Sequence, residues 1–258
     1  MLEKKLQNLK EFVKDKGKNG ALIAFSGGLD STTLAVICKD LIDVKLATIV
    51  SDIFPASEIE EASKIAKKLG LEHIKIELDL LSDENFIRNP VDRCYYCKKM
   101  MIKRLKEFNR VIFEGTNVSD LKKHRPGYKA LLEEENVYSP WVEAKITKDE
   151  IIQIAKSLGL PIKSPSPCLA TRIPFNERIT REKLKRIEKA ENIIKDISGV
   201  KILRVRDHGD LARIEVGKEE RKLLCDTKIM DEILRELKAL GYKYVTLDLE
   251  GYREGSLL

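Results

Sequence analysis

Six residues, Ser26-Gly27-Gly28-Leu29-Asp30-Ser31, follow directly on the apolar run Ala21-Leu22-Ile23-Ala24-Phe25. The glycines permit a tight turn and a close approach of backbone to ligand. Free amides at the start of the helix that follows, together with its dipole, favour an anion. Ser26 and Ser31 add hydroxyl donors. Asp30 would repel a bare phosphate, so a carboxylate there suggests a metal ion bridging to it. A plain glycine turn capped by Asp or Ser is the structural alternative. The chain has neither G-x-x-x-x-G-K-S/T nor G-x-G-x-x-G, which excludes a Walker loop and a dinucleotide fingerprint.

The five cysteines are the second chemical feature. Cys94 and Cys97 stand in Arg93-Cys94-Tyr95-Tyr96-Cys97-Lys98, a spacing that puts two sulfurs within reach of one metal. Cys168 lies in Pro165-Ser166-Pro167-Cys168-Leu169-Ala170-Thr171-Arg172. Cys38 falls on the inward face of a helix and reads as a small buried hydrophobe, and Cys225 is read as a packing residue as well. A structural zinc would need a fourth ligand, for which His124 or Cys225 are candidates. Three thiolates alone suit a [4Fe-4S] cluster with one iron open to an outside ligand, which could carry hydrosulfide.

The elements that must position these groups alternate. Helical spacing covers residues 2–16, and strands are expected at 21–25, 44–50, 73–78 and 111–113. Helices are expected at 31–41, 57–69, 95–108, 129–135 and 147–158, the last opened by the capping-box pattern Thr147 to Glu150. Alternation of this kind implies an α/β fold with a doubly wound parallel sheet covered on both faces. Ligands of such sheets bind at the carboxyl ends of the strands near the switch point. If the fourth strand adjoins the first, Gly115, Thr116 and Asn117 line the nucleotide pocket opposite Ser26; an ordinary strand-to-helix turn is the other reading. Pro-rich residues 161–174 form a linker, which gives a domain over 1–174 and a smaller C-terminal α+β domain over 175–258. The latter is read as a helix at 180–195, strands at 202–206 and 212–216, a helix at 228–240 and a strand at 244–247.

Length and composition set bounds. The 258 residues suffice for a large core, and a 43% hydrophobic fraction excludes global disorder despite 35% charged residues. Forty-eight Lys and Arg against 42 Asp and Glu give a net charge of +6 without one long basic run, so nucleic acid is not the expected partner. No apolar stretch is long enough for a membrane span and the N-terminus is amphipathic rather than a signal peptide, so a cytoplasmic protein is expected.

The residues SGGLDS after an apolar strand resemble the pyrophosphate-binding loop of the ATP pyrophosphatase (PP-loop) superfamily. Along nearly the whole chain the sequence further resembles the LarE-type ATP-dependent sulfur transferases of nickel-pincer nucleotide synthesis. The match runs through Asn89-Pro90, the Cys94–Cys97 stretch, Gly115-Thr116-Asn117, Arg125-Pro126-Gly127, Ser139-Pro140 and Pro167 to Arg172. It continues in Arg204 to Gly209, Ala212 to Val216, Asp248-Leu249 and Gly251 to Ser256. The resemblance implies that ATP and Mg²⁺ adenylate the carboxylates of pyridinium-3,5-biscarboxylic acid mononucleotide, which then become thiocarboxylates. It implies a nucleotide site at Ser26, Gly27, Gly28, Asp30, Ser31, Gly115, Thr116 and Asn117. Some members consume one cysteine at the position of Cys168; the three-cysteine pattern here implies the branch in which Cys94, Cys97 and Cys168 hold a [4Fe-4S] cluster fed by sulfide or another sulfur donor. The family also implies a homo-oligomer.

A mononucleotide with two carboxylates and a phosphate calls for fork-shaped donors, for which Arg206 and Arg213 are the best candidates, with Arg172 beside the cysteine loop. Glu215 alternates with Arg213 and could pair with it or bind a metal. The basic helix from Arg181 to Lys195 reads as a solvated face with pairs such as Glu182 and Arg186. A PP-loop enzyme that thiolates tRNA is the alternative enzyme reading, and a non-catalytic ATP-binding module is the other class.

Overall fold

Apolar runs of a few residues alternate with amphipathic stretches, and strands and helices follow that alternation. The computed structural model describes residues 1–122, 125–162 and 166–253. In chain order the elements begin α1 (Leu2–Lys16), β1 (Ala21–Ala24), α2 (Leu29–Lys39), β2 (Val44–Val50), α3 (Ala56–Leu69) and β3 (His73–Glu77). Next come α4 (Glu84–Ile87), α5 (Arg93–Lys106), β4 (Val111–Phe113), α6 (Pro126–Leu132), β5 (Val137–Tyr138), α7 (Pro140–Glu143) and α8 (Lys148–Ser157). The last are α9 (Arg181–Ser198), β6 (Leu203–His208), β7 (Leu211–Val216), α10 (Thr227–Ala239) and β8 (Tyr244–Leu247). They form two compact units, Met1–Leu80 with Asp92–Ser166, and Leu81–Val91 with Pro167–Leu258.

The first unit holds a parallel sheet of order β3-β2-β1-β4-β5. Alternate strand residues face opposite sides. Ala21, Ile23, Val44 and Leu46 enter a core with Leu9, Leu34, Ala62, Trp141 and Ile151. Leu22, Ala47 and Ile49 instead meet Ile102, Leu105 and Leu131. Both faces are therefore covered, and the fold is the expected doubly wound α/β type. The helix expected from residue 129 begins at Pro126, because proline at the first helical position forfeits no hydrogen bond. The capping box at Thr147 forms with both of its bonds.

The second unit is α+β. β6 and β7 pair antiparallel, and β8 runs parallel to β7. Leu203, Val205, Ala212, Ile214 and Val216 pack under α9 and α10 with Ala190, Ile194, Ile233 and Leu237. Alternation leaves Arg204, Arg206, Arg213 and Glu215 on the opposite face of the hairpin. Residues 81–91 belong to this unit. Asn89 donates through Nδ2 to the carbonyls of Ile173 and Pro174 at 3.2 and 2.7 Å. Its own carbonyl accepts from Asn176 N at 2.9 Å, and Ile87 O accepts from Ile179 N at 2.8 Å. Among the described residues no helix is long and apolar enough to cross a membrane.

The basic helix is not simply a solvated face. Arg186 turns to the fully buried Asp207 of β6, with three nitrogen–oxygen contacts between 2.6 and 3.0 Å, and stacks on Tyr242 at 4.3 Å. The Tyr242 hydroxyl donates to the same carboxylate at 3.0 Å. A buried carboxylate outcompetes a solvated neighbour on the helix, because it must be paired.

Candidate functional site

The loop between β1 and α2 is closed by its own serines. Gly28 N donates to Ser26 Oγ at 3.2 Å, Ser26 Oγ lies 3.3 Å from Ser31 Oγ, and Ser31 Oγ donates to Gly28 O at 3.1 Å. Gly27 has φ +70°, and a Cβ there would come within 2.8 Å of Ala62 Cα, so the turn needs glycine on two counts. Thr32 Oγ1, in the first turn of α2, is buried without a hydrogen-bond partner among the described residues. An orphaned buried hydroxyl beside free helix amides fits a site that takes a polar ligand.

β4 does adjoin β1, in the register Ala21 to Val111 and Ile23 to Phe113. The strand order therefore reverses between them, and both strands end at the loop. Gly115 passes so close that a Cβ would lie 3.3 Å from Asp30 Cβ. Asn117 Nδ2 donates to Asp120 Oδ2 at 2.8 Å and reaches Asp30 Oδ2 at 3.4 Å. The Asp30 carbonyl accepts from Trp141 Nε1 at 3.3 Å, and Lys148 Nζ donates to Asp30 Oδ1. Burial raises the Asp30 carboxyl above the usual range, opposed by Lys148 and reinforced by the nearby Asp120. Asp120 is itself committed, Oδ1 to Arg125 and Oδ2 to Asn117, which leaves Asp30 as the hard oxygen donor of the kind magnesium takes together with a nucleotide.

Glu114, at the end of β4, is buried yet heavily used. It accepts from Thr116 N at 3.0 Å, from Thr116 Oγ1 at 2.8 Å and from Ser139 Oγ, with Lys98 Nζ at 3.9 Å. Its role is to fix the Gly115–Asn117 turn.

In the second unit, Arg172 grips the cysteine loop. Its Nη1 donates to Pro167 O at 2.7 Å and to Cys168 O at 3.0 Å, while Nε and Nη2 hold the buried Glu191 at 2.8 and 3.2 Å. Arg206 and Arg213 stand opposite each other across the hairpin and share Glu215, which pairs with Arg213 as one of its two sequence readings. Oε2 takes Arg206 at 2.9 and 2.7 Å, and Oε1 takes Arg213 at 2.9 Å. Arg206 Nη1 also donates to Thr171 O at 2.8 Å. Arg213 also reaches a second carboxylate, with Nε 3.7 Å from Asp248 Oδ2, so the two guanidiniums are balanced by Glu215 and Asp248. Arg204 stacks on Tyr252 at 5.0 Å.

Comparison with known proteins decides the family. An uncharacterized protein of Synechocystis sp. is 38% identical over the whole of this chain and 98% of its own. The pyridinium-3,5-bisthiocarboxylic acid mononucleotide synthase of Lactiplantibacillus plantarum is 33% identical, over 91% of this chain and 87% of that enzyme. The chain belongs to the LarE-type family. A family of unknown function, DUF7411, matches residues 20–102. A more distant likeness, 27% over 62% of this chain and 64% of the relative, is to the NH(3)-dependent NAD(+) synthetase of Pyrococcus horikoshii. These relatives make the protein an ATP-utilising enzyme of the PP-loop superfamily.

As a LarE-type chain it carries its cysteines on both units. Cys94 and Cys97 lie one turn apart at the start of α5, the first exposed and the second half-buried with Sγ 3.7 Å from Met101 Sδ. Cys168 lies just ahead of the short 3₁₀ turn Leu169–Arg172 of the other unit. Within neither unit, among the described residues, do three or more His, Cys, Asp or Glu side chains gather as a metal site. The soft Cys94–Cys97 pair nevertheless suits iron. His124 lies outside the described residues. Cys38 is buried, and burial pushes its thiol up to about 12. Cys225 is exposed, which corrects its reading as a packing residue; Leu224 turns inward in its place.

Glu114, Lys148, Glu191 and Trp141 belong to no motif legible in the sequence. Lys148 had a signal, since it follows the capping residue Thr147 and so stands at a helix start, where a cation is out of place unless a carboxylate waits for it.

Proposed function

We propose that this chain is an ATP-dependent sulfur transferase that converts the carboxylates of pyridinium-3,5-biscarboxylic acid mononucleotide to thiocarboxylates. The observation that carries the reading is Asp30 at the β1/β4 switch point, with Asp120 and Asn117 beside the serine-closed loop. ATP phosphates lie against Ser26, Gly27, Gly28 and Ser31, and Gly115, Thr116 and Asn117 line the opposite wall. Asp30 would hold a magnesium ion, which when bound supplies positive charge to the leaving pyrophosphate. A substrate carboxylate oxygen attacks the α-phosphorus, the bond to the β-phosphate breaks, and an acyl-adenylate forms. Sulfur then attacks the acyl carbon, the carbon–oxygen bond to AMP breaks, and a thiocarboxylate and AMP result.

Sulfur enters through Cys94, Cys97 and Cys168. These three thiolates would hold a [4Fe-4S] cluster, which when bound supplies an iron open to hydrosulfide. Arg172 fixes the backbone of Cys168, and Arg206 fixes the adjoining Thr171. Arg213, more exposed than Arg206 and held by Glu215 and Asp248, is the guanidinium that would turn to substrate anions.

The experiment incubates the anaerobically reconstituted protein with ATP, Mg²⁺, the dicarboxylated mononucleotide and sulfide. Pyrophosphate, AMP and thiocarboxylate in many equivalents per chain are expected. One equivalent, with a protein mass loss matching cysteine to dehydroalanine, would replace the cluster by sacrifice of Cys168. No substrate-dependent pyrophosphate at all would overturn the reading.

A further inference from the structure

Lys148 is the first residue of α8, and its ammonium lies on the Asp30 carboxylate. The contact is not needed to dock α8. The helix start is held by the Thr147–Glu150 capping box, by Lys5 on Glu150 at 2.8 Å, and by Lys148 N donating to Ser119 Oγ at 3.0 Å. Nor is the ion pair locked in the core: the side chains of Lys148 and Asp30 are 33% and 23% exposed, so the long lysine stem is able to swing. Among the described residues the remaining oxygen of Asp30 has only the long 3.4 Å contact to Asn117, whose amide is committed more closely to Asp120. The ammonium thus takes one oxygen of the carboxylate that a divalent ion would use, and its positive charge opposes a second cation settling on the other oxygen while it stays.

We propose that Lys148 is a resident cation which magnesium–nucleotide displaces. With the loop empty it neutralises Asp30 and keeps a divalent ion from settling there alone. When the metal arrives on a nucleotide and takes Asp30, the freed ammonium turns to the phosphate oxygens, so metal entry and nucleotide entry are one event. The inference rests on the reading of Asp30 as the metal-bridging residue.

The test has two titrations on the full chain, both independent of turnover. Mn²⁺ binding without nucleotide is followed by the EPR signal of the free ion. Binding of α,β-methylene ATP with Mg²⁺ is followed by the fluorescence of Trp141, the sole tryptophan, whose indole touches the Asp30 carbonyl. In Lys148→Met, Mn²⁺ should bind roughly tenfold tighter and the ATP analogue roughly tenfold weaker, the scale of one charge-assisted hydrogen bond. Lys148→Arg should stay near wild type in both. A lysine that only braces the fold would weaken both or move neither, and either result overturns the proposal; Lys148→Gln replaces the Met variant should that one not fold. Failure of the wild-type chain to bind the analogue with Mg²⁺ would instead remove the ATP reading of the loop.

Discussion

Arg172 and Glu191 form a two-pronged ion pair with side chains only 1% and 6% exposed, and the third nitrogen of the same guanidinium holds the carbonyl of Cys168. Fold and cysteine loop therefore depend on one group. Removing either charge leaves the other buried and unpaired, so Arg172→Met or Glu191→Gln should cost about 3–5 kcal/mol of stability in urea unfolding. In whatever folded fraction remains, Cys168 should react faster with iodoacetamide, which peptide mass spectrometry would quantify.

Gly27→Ala combines a left-handed backbone with a Cβ pressed to 2.8 Å from Ala62 Cα. The backbone alone costs about 1–2 kcal/mol in a non-glycine residue. A lowered melting temperature and loss of nucleotide binding are expected together, since the turn must open to relieve the contact.

Asp30→Asn should separate stability from activity. Burial raises the Asp30 carboxyl, so its favourable contribution is full below the ordinary aspartate range and is lost as pH rises through the raised folded value. Without metal or nucleotide, the variant should melt higher than wild type at neutral pH by about 1–3 °C, and the gap should close on acidification. ATP-dependent pyrophosphate release should vanish. A variant that melts lower at neutral pH would contradict the sign.

His73 answers to pH in the opposite sense. Thr48 Oγ1 donates its one hydrogen to Phe25 O at 2.7 Å, so His73 Nε2 is the donor in the 2.8 Å bond to Thr48. Burial, then Lys75, lowers its pKa. Its contribution is complete above the ordinary histidine value and is lost as pH falls through the lowered folded one. His73→Gln, which keeps a donor but no titration, should show a flatter loss of melting temperature below about pH 6.5.

The cysteines should label in a fixed order in metal-free protein. Cys94 and Cys225 are exposed, Cys97 and Cys168 intermediate, and Cys38 buried with its thiol pushed up to about 12. Timed alkylation followed by peptide mapping should find Cys38 modified only after unfolding.

What the sequence discloses is local. A Gly-Gly pair after an apolar strand, a Thr-x-x-Glu start and a cysteine on an apolar helix face each carry their reason within a few residues, and each lies where its pattern points. Partners far along the chain leave no such mark. Glu114 meets Ser139 across 25 residues, and Lys148 meets Asp30 across 118. Arg186 misleads by having Glu182 at helical spacing while its decisive partner, Asp207, is 21 residues on. Cys225 misleads through its neighbour Leu224, which alone turns inward.

Residues 81–91 leave the first unit's sequence, serve the second, and hand the chain back. No single cut can therefore release the second unit whole: a fragment starting at Pro167 would lack Asn89 and strip the carbonyls of Ile173 and Pro174 of their donor. The same holds during synthesis, where this short strap emerges long before the segment it ties, so the second unit matures only after that later segment has left the ribosome.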